Sequence, residues 1–349
     1  MKKIISIFLI FTVCLISGCT STNGKDSEME VRGLTSKISL ITTASDVYKI
    51  NVSMPETFSE EMYKKSGEDS LDYYKWAKDT YNSMDDSLKF RLRNIFEIYG
   101  EWQFVNETIS LEDDASVDEI IESINTSENL TISENLKKDI ELFFKCFYKD
   151  YFKELIDKNT SKIDQSVKEL NELIKENDID VFSFMEENSG IKFSNNYKAL
   201  FYYDIVPIGA MGFEYDGNKV STIQPNTDSN ILLRTPFHEY SHELFRSFTL
   251  DEEFKKICEE LTKDEKLLDS YNSIGRNAYD WVGWCEENLV NGFSEYLSHK
   301  YYGKKSKQPI YAYDLEFCNY LIEENFNPKN ISLKDISIEF YKNKIDSIK

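Results

Sequence analysis

The stretch TPFHEYSHELF, residues 235–245, contains two of the three histidines in the 349-residue chain. His238 and His242 lie four positions apart, and Glu239 directly follows the first of them. On an α-helix, residues four apart share a face, so both imidazoles can reach one metal ion. Glu239 lies about 100° further round the helix, where its carboxylate can act as general base towards a metal-bound water. This HExxH spacing therefore predicts a Zn²⁺ site with its own proton acceptor.

The sequence on both sides of the motif indicates how it is held. Thr235 suits an N-cap and Pro236 suits the first helical position, which predicts that the motif begins a helix. Upstream, ALFYYDIVPIG (residues 199–209) predicts a buried strand. MGFEYDGNKVSTIQ (residues 211–224) predicts a β-hairpin with Asp216 and Gly217 at a type I′ turn. The motif is therefore expected on a helix that packs near a small sheet.

A catalytic zinc normally has three protein ligands, so a third must come from elsewhere in the chain. The stretch WVGWCEENLVNGFSEYLSHKYYG, residues 281–303, predicts a second helix with an apolar inner stripe. The candidate third ligands on this helix are Glu286, Glu287, Glu295 and His299. The residue types and their spacing leave all four open.

FHEYSHELF followed by EENLVNGFSEYL resembles the gluzincins, zinc peptidases whose third ligand is a glutamate on a helix after HExxH. It looks most like a family of bacterial secreted peptidases known only as a domain of unknown function. The resemblance covers roughly residues 200–303 and is specific at HExxH. It implies metal ligation by His238, His242 and Glu287, with Asn291 one turn later supporting a ligand histidine. A second alignment, of NGFSEYL with the EGxAEY pattern of other gluzincins, would shift the ligand to Glu295.

The same resemblance implies a mechanism. Glu239 is expected to take a proton from the attacking water and to pass it to the leaving amine. A second donor to the oxyanion is expected, and the candidates are Tyr301, Tyr302, Tyr311 and Tyr313. The edge of the hairpin at 211–224 is expected to pair with an extended peptide or protein substrate.

The first residues, MKKIISIFLIFTVCLISGC, predict a lipoprotein signal peptide over 1–18 that is removed before Cys19. Lipid on Cys19 would hold the protein on the extracytoplasmic face of a bacterial cell membrane, with residues 19–30 as a polar tether. The net charge of −21 argues against a nucleic-acid partner, because such a surface repels phosphates.

The rest of the chain predicts an α+β fold that is mostly α. Residues 31–178 form an α-rich region, in which 36–52 predict one or two short strands because they are rich in Ile, Val and Thr. Ser116 with Glu119 predicts a capping box, and Ser133 predicts another helix cap. Residues 179–349 form the zincin-like region, with a small β-sheet and the HExxH helix. The remaining cysteines, which are too sparse for a disulfide scaffold, are Cys146, Cys258, Cys285 and Cys318.

Two classes of function fit these patterns. The favoured interpretation is a membrane-anchored extracellular zinc metallopeptidase, a hydrolase of peptide bonds. The alternative is a non-catalytic surface lipoprotein that binds a protein partner and has a structural or degenerate zinc site. A third carboxylate ligand beside the two histidines, with Glu239 available to a water, favours the enzyme.

Overall fold

Four short strands form one sheet in the order β1–β2–β4–β3 in the computed structural model, which describes residues 29–176, 180–224, 229–276, 279–303 and 306–348. The strands are β1 (Met29–Arg32), β2 (Ala199–Tyr203), β3 (Gly212–Tyr215) and β4 (Asn218–Ile223). β2 pairs in parallel with both β1 and β4, whereas β3 pairs antiparallel with β4. This order makes β3 one edge of the sheet.

Helices account for most of the described chain. Those before β2 are α1 (Ser36–Tyr48), α2 (Glu60–Lys65), α3 (Glu68–Ser83), α4 (Asp86–Phe96), α5 (Glu101–Thr108), α6 (Val117–Asn125), α7 (Glu134–Phe147), α8 (Lys153–Glu176) and α9 (Val181–Ser189). Those after β4 are α10 (Ser229–Glu239), α11 (Ser241–Thr249), α12 (Glu252–Leu261), α13 (Glu265–Ser270), α14 (Trp281–Tyr302), α15 (Asp314–Glu323) and α16 (Leu333–Ile348). π-Helical turns follow three of these helices at Lys49–Ser53, Tyr148–Phe152 and Tyr271–Gly275. The prediction of a mostly helical α+β chain is confirmed.

The sheet lies between two hydrophobic cores. Leu200, Tyr202 and Val220 point into a core formed mainly by α1 to α7. Phe201 and Tyr203, on the opposite face, point into a core formed mainly by α9 to α16. Because both faces are covered, all five residues of β2 are buried, as expected for a central strand. The buried strand predicted at 199–209 is confirmed for Ala199–Tyr203, whereas residues 204–209 lie outside the strand.

The prediction of strands within residues 36–52 is wrong, because this stretch forms α1 and the π-helical turn after it. Every residue of α1 after Ser36 is buried. A helix that is buried all round gains more from packing than its β-branched residues lose in helix propensity. Tertiary burial therefore overrides the local β preference of this segment.

The predicted local signals at the turn and the caps are confirmed. Asp216 and Gly217 have φ values of 51° and 70°, which a type I′ turn requires at both central residues. The Ser116 backbone N–H donates to the Glu119 carboxylate at 2.8 Å, and the Ser116 hydroxyl accepts from the Glu119 N–H. Ser133 accepts a hydrogen bond from the backbone N–H at the third position of α7.

The first described strand begins within the segment predicted as a tether. Met29 and Glu30 pair with Ala199 and Leu200, so the sheet includes the last two residues of the stretch 19–30. The signal peptide and Cys19 lie outside the described residues. The boundary near residue 178 stays a prediction. Within the described ranges, none of the helices combines the length and the apolar character that a bilayer crossing requires.

Candidate metal centre

Three side chains from three helices converge at one point. His238 lies near the end of α10, His242 in the first turn of α11, and Glu287 in α14. One ligand atom from each lies within 4.8 Å of the others. His238 Nε2 is 3.3 Å from Glu287 Oε1, and His242 Nε2 is 3.4 Å from Glu287 Oε2. These are the histidines of HExxH and the preferred one of the four candidate third ligands, in an arrangement that could hold a metal ion.

The helix that carries the motif differs from the prediction. α10 starts at Ser229, so Thr235 is not an N-cap and Pro236 lies inside the helix. The helical run is interrupted at Tyr240, between α10 and α11. Tyr240 nevertheless keeps right-handed helical angles, φ −88° and ψ −12°, so His238 and His242 still face the same side. Proline within a helix removes one hydrogen bond, which the packing around α10 must offset.

Tyr240 also fixes the motif against the sheet. Its side chain is fully buried, and its hydroxyl accepts a hydrogen bond from the backbone N–H of Lys219 at 2.7 Å. The same hydroxyl donates to the carbonyl of Lys198. These two backbone groups lie at the start of β4 and just before β2. Tyr240, between the two histidines, therefore fixes the helical segment that carries the motif against the strands.

Glu287 is an unusual buried carboxylate. Its side chain is 0% exposed, and within the described chain neither of its oxygens accepts a hydrogen bond of good geometry. Burial disfavours its ionised form, but His238 and His242 outweigh this effect and hold the pKa of Glu287 well below its ordinary value. A buried anion without hydrogen-bond donors is costly unless a cation compensates it. The donor set, two imidazoles and a carboxylate, therefore fits a metal ion.

His242 is oriented by a second carboxylate. Its Nδ1 lies 2.9 Å from Glu286 Oε1, and the Thr249 hydroxyl donates to the other oxygen of Glu286. Burial lowers the pKa of His242, but Glu286 and Glu287 together raise it to about 9. A carboxylate on one imidazole nitrogen directs the other nitrogen towards the metal. Glu286, a candidate third ligand in the sequence, instead contacts His242 on the side away from Glu287.

The remaining candidates of α14 lie outside the group. Glu295 pairs with Arg234 and accepts a hydrogen bond from the Ser306 N–H at 2.8 Å. His299 is partly exposed in the last turn of the helix. The expectation that Asn291 supports a ligand histidine is wrong, because its amide donates to Asp314 at 2.8 Å. Asn291 connects α14 to α15, and Glu286 supports the histidine.

Glu239 is partly exposed and is not one of the three converging groups. Its carboxylate faces the edge strand: a Cβ atom placed on Gly212 would lie 3.8 Å from Glu239 Oε1. The absence of a side chain at Gly212 leaves open the space between Glu239 and β3. Glu239 therefore lies between the two histidines and the edge of the sheet, where it can exchange protons with a water or a ligand.

Two tyrosines lie close to the buried carboxylate. Burial and the charge of Glu287 together raise the pKa of both Tyr279 and Tyr311. Tyr311 is one of the four expected oxyanion donors. Tyr279 was not predicted, and no motif or periodicity marks it, since it lies in the short segment before α14. A neutral phenol at this position can donate a hydrogen bond to developing negative charge.

The other three candidate tyrosines have different surroundings. The Tyr313 hydroxyl donates to Asp264 on the far side of the core. Tyr301 packs edge-on against Phe184, with 5.1 Å between the ring centroids. Tyr302 packs against Tyr301. Of the four, the structure brings only Tyr311 next to Glu287 in the described part of the chain.

Comparison with known proteins gives no further guide to function. Neither a protein-family model, nor a curated protein, nor a solved structure matches this chain. Functional conclusions therefore rest on the geometry of the site and on the sequence patterns.

Proposed function

We propose that this protein is a zinc-dependent metallopeptidase, tethered by lipid on Cys19 to the extracytoplasmic face of a bacterial cell membrane. One observation carries the proposal: both oxygens of Glu287 are buried, accept no hydrogen bond of good geometry from the described residues, and face the Nε2 atoms of two histidines. Two imidazoles and one carboxylate are a common ligand set of catalytic zinc, and they leave a fourth position for water or substrate. The arrangement resembles that of the gluzincins.

Each residue around the site has a role in this proposal. His238, His242 and Glu287 would hold a zinc ion, which would supply Lewis acidity towards water and a peptide carbonyl. Glu239 takes the proton of the attacking water and delivers it to the departing amine. Tyr311 or Tyr279 donates a hydrogen bond to the oxyanion.

The substrate class follows from the position of β3. This strand forms the edge of the sheet, and Glu239 faces its residue Gly212. An extended peptide can add to such an edge through main-chain hydrogen bonds, which do not depend on the side chains of the peptide. A peptide on β3 would present its backbone to Glu239, which is the geometry that peptide-bond hydrolysis requires.

The location is supported by the sequence from Lys2 to Cys19. Metabolic labelling with an alkyne fatty acid in a bacterial host tests it directly. The wild-type chain is expected to incorporate the label and to fractionate with membranes. Cys19→Ser is expected to lose the label, and labelling that survives this change would refute the lipid anchor.

The metal site is tested by zinc content in protein produced from residue 20 onward. About one zinc per chain is expected for the wild type and for Glu295→Gln, and none for Glu287→Ala. Glu295→Gln is the matched control, because it lies on the same helix and was the main alternative ligand. Zinc retained by Glu287→Ala and lost from Glu295→Gln would refute the ligand set.

The activity is tested by hydrolysis of fluorescein-labelled casein. Glu239→Gln is expected to keep zinc and to lose at least a hundredfold in rate, because general acid–base catalysis contributes about 10²–10⁴-fold. Glu243→Gln, in the first turn of α11 and partly exposed, is expected to cleave at the wild-type rate. A wild type that binds zinc and cleaves neither casein nor a peptide library would favour the non-catalytic surface lipoprotein.

A further inference from the structure

One side chain of the helical region before β2 donates a hydrogen bond to the edge strand. Trp102 is the second residue of α5, and its indole Nε1–H donates to the carbonyl of Gly212 at 3.0 Å. Its ring lies nearly parallel to that of Phe213, at 18° and 6.4 Å between centroids. The side chain is nevertheless 52% exposed. Trp102 therefore lies on the surface of the edge rather than inside the core.

The Gly212 carbonyl, which accepts the hydrogen bond from Trp102, points away from the sheet. Met211 accepts a hydrogen bond from the Thr222 N–H at 2.9 Å, so these two residues form a hydrogen-bonded pair of the hairpin. Such pairs alternate along an antiparallel ladder, and the next pair, Gly212 with Ser221, is a non-bonded one. The polar groups of Gly212 are consequently directed outward, to the side where an added strand would pair.

Gly212 is also the residue of β3 that faces Glu239, at 3.8 Å from a Cβ position to the carboxylate. A peptide that pairs with β3 opposite Glu239 needs the outward carbonyl of Gly212 as an acceptor for one of its own N–H groups. In this structure the indole of Trp102 holds that acceptor. A carbonyl oxygen can accept two hydrogen bonds, but the indole ring lies against this one, so a substrate strand and Trp102 compete for the same place on the edge.

We propose that Trp102 is a latch on the substrate-binding edge: its indole occupies the Gly212 carbonyl beside Glu239 and is displaced when a peptide adds to β3. This inference rests on the proposed peptidase function and deepens it. The latch restricts entry and tunes affinity; the reaction itself does not use it.

The surroundings of Trp102 allow the side chain to move while the helix stays in place. The preceding residue, Glu101, pairs with Lys49 and accepts a hydrogen bond from the Ser45 hydroxyl at 2.8 Å. Phe104 and Val105 are fully buried in the core shared with α1. Displacing the indole costs one neutral hydrogen bond and a partial ring contact at the surface. The net value of such a bond corresponds to about a fivefold change in peptide affinity.

The test compares Trp102→Phe, which keeps an aromatic ring and removes the N–H, with Trp76→Phe on α3 as the matched control. Cleavage of fluorescein-labelled casein by the zinc-loaded enzyme is measured over a range of concentrations. The latch predicts that Trp102→Phe lowers KM about fivefold and leaves kcat unchanged, while Trp76→Phe changes neither. An unchanged or higher KM in Trp102→Phe would overturn the latch, because removal of a tryptophan that helps to bind the substrate raises KM.

Binding provides a second readout that does not depend on hydrolysis. Anisotropy of labelled casein is measured with zinc-loaded Glu239→Gln protein, with and without Trp102→Phe. About fivefold tighter binding with Trp102→Phe supports the latch, even if the wild type hydrolyses nothing and the peptidase proposal fails. Equal or weaker binding, or no binding by either protein, refutes the latch whatever the activity of the wild type.

Discussion

Removal of the Glu286 carboxylate is expected to weaken zinc binding without removing a ligand. Glu286 accepts from His242 Nδ1 at 2.9 Å and from the Thr249 hydroxyl, and it is buried. Glu286→Ala would leave a buried imidazole N–H without an acceptor, at a cost of about 1.5–3 kcal/mol for a hydrogen bond to a charged group. This free energy corresponds to about a 10–100-fold loss of zinc affinity, the range typical of residues that support metal ligands.

The ranking of zinc affinities among several Glu286 variants tests this reasoning more sharply than the affinity of one variant. Glu286→Gln keeps the volume and an acceptor oxygen but loses the charge, so its zinc affinity is expected to lie between those of the wild type and Glu286→Ala. Affinity is measured by competition with a chromophoric chelator, with circular dichroism to check that each variant is folded. Glu286→Ala binding zinc within twofold of the wild type would refute the supporting role. Complete loss of zinc, as expected for Glu287→Ala, would instead make Glu286 a ligand.

Three further predictions concern stability, each measured as the free energy of unfolding in urea. Burial raises the pKa of Asp46 from 3.8 to about 7, so the folded state binds this proton more tightly and stability falls as pH rises between about 4 and 7. Asp46→Asn is expected to reduce the loss of stability from pH 5 to pH 8 by about 2–3 kcal/mol, and an unchanged pH slope would contradict this. Gly292→Ala would place a Cβ 2.5 Å from the Asp314 carbonyl oxygen and is expected to lower the free energy of unfolding by about 1–3 kcal/mol. Gly100→Ala is the control: the nearest neighbour of its Cβ would lie at 3.9 Å, so its loss is expected to be less than about 1 kcal/mol. Ser116→Ala removes a helix cap and is expected to cost about 1 kcal/mol; a loss below a few tenths would mean that water replaces the cap.

The two histidines of the candidate metal centre could be named from the sequence because their placement depends on local spacing, whereas Glu287 was favoured only by the resemblance to the gluzincins. HExxH places both histidines on one face through the helical repeat alone, and this holds even though the helix starts at Ser229 rather than Pro236 and is interrupted at Tyr240. The partners of α14 could not be assigned in this way. Glu286 and Glu287 are adjacent in sequence, and only the rotation of α14 against α11 determines that the first contacts Nδ1 of His242 and the second Nε2.

Contacts between distant parts of the chain could not be predicted from local sequence patterns. α1 has the β-branched composition of a strand, and it is helical because neighbours cover it on all sides. Trp102 has no motif around it, and its contact with Gly212 joins residues 110 positions apart. Turns and caps were predictable for the opposite reason: their hydrogen bonds join residues within one turn, so the local sequence contains both partners.

The polar residues of α14 show how a functional carboxylate differs from structural ones in the same buried helix. Residues 284–298 are all buried, and three of them are glutamates. Glu286 has an imidazole and a hydroxyl as partners, and Glu295 has Arg234. Glu287 alone of the three faces two imidazole nitrogens at distances of 3.3 and 3.4 Å, without a hydrogen bond in the described chain. Glu286 and Glu295 are paired with protein groups, whereas Glu287 lies with His238 and His242 in a group that could hold a metal ion, which is why we propose Glu287 as the third ligand.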